Sequence, residues 1–130
     1  MKWLVLVCIG GLWAGPAFAG NDAPNCQDPQ TQADMTQCAG LDYAKADKAL
    51  NAVWPKIKAE AEQSDKDTGK HDYAEALLAS QRAWLAYRDA QCKWAGFEAH
   101  GGSMEPMLVN GCMAAKTDER IKELQDRQMQ

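Results

Sequence analysis

Four cysteines, Cys26, Cys38, Cys92 and Cys112, carry the most specific chemistry in this chain. Such a set can hold a metal, serve a redox or nucleophilic reaction, or close disulfides. Structural zinc sites draw on thiolates in short Cys-x-x-Cys pairs. No two of these four stand at that spacing, so no metal is expected. An even set in an oxidising compartment reads instead as two disulfides. The compartment is read from residues 1–19, MKWLVLVCIGGLWAGPAFA. One Lys precedes an apolar run, and Ala17-Phe18-Ala19 forms a small-x-small cleavage site before Gly20, as in a removable export signal. The run is too short and wrongly flanked for a membrane anchor. The fifth cysteine, Cys8, follows Val7, which is not the small residue that lipid attachment would want. Residues 20–130 are therefore expected to form one periplasmic or secreted domain with no membrane anchor.

Catalytic groups are sparse. His71 lies beside a polar stretch and His100 in a Gly-rich one, and neither has a sequence neighbour that makes it a credible base for a serine or thiol nucleophile. Asp65 and Asp67 read as turn residues rather than as a glycosidase pair. Gly101-Gly102-Ser103 is too short to match a phosphate-cradling loop. Trp54, Trp84 and Trp94 could stack a ligand, but large residues on amphipathic helices more often belong to a core. The chain is not expected to be an enzyme or to carry a cofactor. The remaining candidate for function is the loop His100-Gly101-Gly102-Ser103-Met104-Glu105, with Ser103, Glu105 and His100 as its binding groups.

Helices must position these residues. Strand signals are nearly absent, and three segments show apolar residues at three- and four-residue steps. In the first, Thr31 is placed to cap the N-terminus with Asp34 three residues on, and Met35, Cys38, Asp42, Ala46, Leu50, Val53 and Ile57 mark one face. Pro55 interrupts that face and predicts a kink or break around Val53–Trp54. The polar run from Gln63 to Lys70 predicts the turn, with the first helix ending near Glu62. A second helix is expected from about Asp72 to Gly96, its stripe running through Tyr73, Leu77, Ser80, Trp84, Tyr87 and Gln91. Ser103 is a plausible N-cap for a third, carrying Met104, Met107, Leu108, Cys112, Ala115, Ile121 and Leu124. The fold class is all-α, a three-helix up-down-up bundle.

In that bundle all four cysteines fall toward the end away from the first hairpin. A bridge Cys92–Cys112 would cross the second connection and Cys26–Cys38 would pin the lead-in to the first helix, although Cys38–Cys92 also fits. Counting from the hairpin, Asp47 and Arg88 come out nearly level, which predicts a bidentate ion pair at the core edge. The chain carries a formal net charge of −4, one unit more acidic once Lys2 leaves with the signal. Such a surface repels nucleic acid and anionic lipid and favours a basic partner.

The motifs themselves resemble a known family. Thr31-Gln32-Ala33-Asp34-Met35-Thr36-Gln37-Cys38 is similar to the opening Thr-Gln-x-Glu-Met-x-x-Cys of the LprI-type lysozyme inhibitors, with Asp34 where Glu is usual and Thr36 where Asn is common. Ala46-Asp47-Lys48-Ala49-Leu50-Asn51 resembles the family's Ala-Asp-x-x-Leu-Asn. The segment Gln81 to Cys92, QRAWLAYRDAQC, resembles its Gln-x-x-Trp-x-x-Tyr-Arg-Asp-x-x-Cys, and Gly101 to Met104 with Cys112, Thr117, Arg120 and Leu124 resembles its closing segment. The resemblance implies an exported bacterial helical domain. It also implies a binding protein that inhibits a lysozyme-type muramidase, a typically basic enzyme, by occluding its cleft. An envelope protein with an endogenous partner is the alternative.

Overall fold

The structure is a computed structural model that describes residues 23–127. The export signal expected over residues 1–19 lies outside them. Among the described residues three helices follow one another, α1 (Gln32–Thr68), α2 (Tyr73–Gly96) and α3 (Glu105–Asp126), with a 3-10 turn over Phe97–Ala99 between the last two. No strand occurs among the described residues, and the fold is the three-helix, disulfide-stapled bundle that the sequence predicts.

Helix α1 begins on a capping box. The Thr31 hydroxyl accepts the Asp34 N–H at 3.1 Å, and Asp34 accepts the Thr31 N–H at 3.2 Å, satisfying two of the amides that a helix start leaves unpaired. Asp34 thus performs the role of the usual Glu. The helix then runs through Pro55 without a break, contrary to expectation. Pro55 and Asn51, whose carbonyl loses its donor, are both exposed, so water can satisfy that carbonyl. On the inner face, Val53, Trp54 and Ile57 pack into the core on both sides of the defect.

The turn is also shorter than the polar run suggests. Helix α1 continues to Thr68 and closes on Gly69, at φ 70°, whose N–H reaches the carbonyls of Asp65 and Lys66. Glycine enters this left-handed region without the Cβ penalty. Asp65 is buried here, and its two carboxylate oxygens accept the N–H groups of Tyr73 and Ala74, each at 3.0 Å. A residue at the end of α1 therefore caps the start of α2, while Asp72, nominally the cap, makes no side-chain cap bond.

Packing divides along the bundle axis. Toward the hairpin, Leu50, Ile57 and Leu124 form the buried apolar cluster, with Val53, Trp54, Leu77, Trp84 and Ile121 against it. Toward the other end the side chains are small. Ala46 and Ala114 are buried, Ala39 and Ala49 face Gly111 across a groove, and a Cβ on Gly96 would meet Val109 Cγ2 at 2.6 Å. That end is closed by Cys26–Cys38 and Cys92–Cys112, with Cα atoms 5.5 and 5.3 Å apart.

Two expected faces are corrected. On α3 the buried small residue is Ala114, with Thr117, while Ala115 is exposed. On α2 the inward side carries Gln81, Arg88 and Cys92, whereas Tyr73 and Tyr87 are each 53 % exposed. Cys92 must face Cys112, and Gln81 and Arg88 find polar partners on α3. The helix therefore turns its predicted stripe partly outward.

Candidate functional site

The loop between α2 and α3 is built by hydrogen bonds to its own ends. The Gly101 N–H donates to Glu105 Oε2 at 2.7 Å, and His100 Nδ1 lies 3.1 Å from Glu105 Oε1. Gly101 has φ 75°, which turns its N–H toward that carboxylate. The Gly102 N–H donates to the Ala99 carbonyl at 2.8 Å and the Glu105 N–H to the Gly102 carbonyl at 3.2 Å. The imidazole of His100 stacks on the Phe97 ring, centroids 4.4 Å apart and planes 2° from parallel. Beneath the loop, Cys92–Cys112 ties its two flanking helices together. The Gly101 N–H and, secondarily, His100 hold the Glu105 carboxyl below the usual glutamate range, because both interactions favour the charged form.

This geometry sorts the three candidate residues. Glu105 is the tie that shapes the loop, with His100 as its neighbour, and Ser103 is exposed at the tip beside Met104, itself 44 % exposed. Ser103 does not cap α3: that helix starts at Glu105, follows Met104, and has no side-chain cap bond. The Glu105 carboxylate turns back to the loop, and Pro106 in the first turn has no N–H that needs a partner. His100 and Glu105 meet, yet no nucleophile among the described residues is hydrogen-bonded to the imidazole. The sequence gives no direct sign of the Phe97 stack, which depends on the 3-10 turn that brings residues 97 and 100 to one side.

The second cluster spans all three helices. Arg88 is 5 % exposed. Its Nε and Nη2 both approach Asp89 Oδ1, at 3.0 and 2.9 Å, and Nη1 donates to the Thr117 hydroxyl at 3.2 Å. Asp47 reaches Nη1 through one oxygen at 3.9 Å, so the expected Asp47–Arg88 pair is present but through one oxygen only, because Asp89 takes Nε and Nη2. The guanidinium also lies over Tyr43 and Trp84, 5.5 and 5.1 Å from the ring centres. Arg120 covers Trp84 at 5.7 Å and binds Gln81 Oε1 at 3.0 Å, Ser80 Oγ at 2.9 Å and Glu123 at 3.0 Å. No buried side-chain nitrogen or oxygen among the described residues lacks a partner. The cluster cross-links helices, and its contacts go to other parts of the same chain.

The described residues thus form a disulfide-stapled helical bundle whose exposed loop is braced by its own hydrogen bonds. The chain belongs to the LprI lysozyme inhibitor family, whose model matches residues 23–124. It is also similar, at 44 % identity over 128 residues, to an uncharacterised protein of Rhizobium meliloti, with 95 % of this chain and 88 % of the relative covered. No solved structure matches the chain. No helix among the described residues is long and apolar enough to cross a membrane.

Proposed function

We propose that the exported domain binds a lysozyme-type muramidase and inhibits it by seating the 100–105 loop in the sugar-binding cleft. The observation that carries this reading is the bracing of the loop. The Glu105 ties to Gly101 and His100 and the Cys92–Cys112 bridge beneath hold the loop in shape while its tip stays exposed. A loop ordered before binding loses little conformational entropy when it docks. Family membership supports the target class, and the acidic chain suits a basic enzyme through electrostatic steering. Inhibition on this scheme requires no chemistry: Ser103 offers a hydroxyl, Met104 an apolar tip, and the helices supply bulk.

The test is calorimetric titration of the oxidised domain into hen-type and goose-type lysozymes, with cell-wall lysis followed in parallel. Saturable binding with lysis lost at matching stoichiometry is the expected result, and the responding enzyme names the target class. The double variant Ser103→Arg/Met104→Ala should lose affinity while its thermal melt stays unchanged; undiminished affinity retires the loop as the contact. Binding to neither enzyme, with both disulfides intact, overturns the inhibitor reading in favour of an endogenous envelope partner.

A further inference from the structure

The two bridges stand in different surroundings. Cys92 is 0 % exposed and Cys112 is half-buried, and both lie inside helices, so Cys92–Cys112 is held between α2 and α3. Cys38, inside α1, is 7 % exposed. Its partner Cys26 is exposed and sits in a turn before α1. One disulfide is screened at both ends, and the other has one end facing water.

Little else holds the segment around Cys26. Between residues 23 and 30 only Pro24 and Pro29 are half-buried, and the rest are exposed. Its hydrogen bonds close on the segment itself. The N–H groups of Gln27 and Asp28 donate to Asn25 Oδ1 and to the Asn25 carbonyl, and the Gln30 amide to the Asp28 carbonyl, each at 3.2 Å. Among the described residues no hydrogen bond or ion pair ties this segment to α2 or α3. Helix α1 does not depend on the tether: Thr31 and Asp34 cap its start, and Gln32 Nε2 reaches Met107 Sδ of α3 at 3.5 Å.

We propose that Cys26–Cys38 is an exchangeable disulfide and that Cys26 is a modification site, which takes a mixed disulfide with a small external thiol. The attacking thiolate bonds to Cys26 Sγ, the Cys26–Cys38 bond breaks, and its electron pair leaves with Cys38 Sγ, which takes a proton from water. One thiol is consumed and one formed, and no oxidant or reductant is needed. Access selects the attacked sulfur, and the freed Cys38 thiol packs in the bundle as a small apolar group.

Separation after cleavage completes the selectivity. Once opened, Cys26 can move off with a segment that nothing else fixes. Helix packing keeps Cys92 and Cys112 side by side, at an effective concentration that favours reclosure. The lead-in thus has a pinned and a released state. The 100–105 loop stays braced in both, because its ties involve none of residues 23–30.

The test exposes the native oxidised domain to graded glutathione, with an acid quench, alkylation in denaturant and peptide mass mapping. The first product should carry glutathione on Cys26 and the alkyl label on Cys38, with Cys92–Cys112 intact and hydrogen exchange at the Gly101 amide unchanged. In denaturant both bridges should open at similar glutathione concentrations, because the selectivity belongs to the fold. The variant Cys26→Ser/Cys38→Ser should take up no glutathione where the wild type is modified. Opening of Cys92–Cys112 at the same or lower glutathione overturns the proposal. So does glutathione on Cys38 instead of Cys26, or a native domain in which neither bridge reacts.

Discussion

The two ends of the bundle are held together by different physics. At the hairpin end, Leu50, Ile57 and Leu124 are removed from water, and the helices are joined by a short turn that Asp65 caps from inside. At the stapled end, small residues bring the helices close, and two disulfides and the Arg88 cluster supply what apolar area does not. An apolar core is non-directional and tolerates sliding, whereas disulfides and charged hydrogen bonds fix particular atoms. The end that carries the loop from His100 to Glu105 is the end built from directional contacts.

The largest expected effect separates these mechanisms. Leu124→Ala removes a side chain that is 3 % exposed and should cost about 2–5 kcal/mol of global stability. Opening Cys92–Cys112 with a double Cys→Ser variant should cost about 2–4 kcal/mol. Hydrogen exchange should distinguish the two: the leucine variant accelerates exchange throughout, while the opened bridge first exposes amides from Phe97 to Glu105. Uniform acceleration in both variants would erase the division between the ends.

Glycine substitutions sharpen the comparison within the stapled end. An alanine at Gly96 would press on the stiff Val109 side chain at 2.6 Å and should destabilise by about 1–3 kcal/mol. At Gly111, a helical position with nothing within 4 Å of the added Cβ, the same change should stabilise by about 0.5–1 kcal/mol. Thermal melts of the pair check this, and equal effects would mean that close packing at Gly96 is not what holds α2 to α3.

The smallest effect is the pH response of the loop. The Glu105 carboxyl is held below its ordinary value by the Gly101 N–H and His100. The stabilisation is thus fully present above the ordinary glutamate range, near 4.3, and fades as pH falls through the lower folded value. Protection of the Gly101 amide should decline in that acid window, and Glu105→Gln should abolish the dependence. An amide whose protection follows the same course in wild type and variant would show that Glu105 is not the tie.

The helices, the Thr31 capping box, the bundle and the cysteine end were legible in the sequence because they rest on local periodicity and on residue types with few uses. The orientation of α2 was not. Its stripe from Tyr73 to Gln91 is real, but periodicity names a face without saying what the face meets. Gln81, Arg88 and Cys92 turn inward because Arg120, Thr117 and Cys112 await them on α3. Likewise Asp65 reads as a turn residue in sequence and becomes a buried cap only when two helix ends converge.

At the loop the division is the same. The residues His100 to Glu105, their glycines and their place between two cysteines were set by the chain's own order. Only tertiary structure decided that Glu105 braces the loop, that His100 lies on Phe97, and that Ser103 is left at the tip and caps nothing. Local order is encoded by propensity over a few neighbouring residues. Which polar groups pair is settled in the folded structure, between helices by partners far apart in the chain, as for Arg88 and Thr117, and at the loop by near neighbours that the 3-10 turn and the Gly101 backbone bring together.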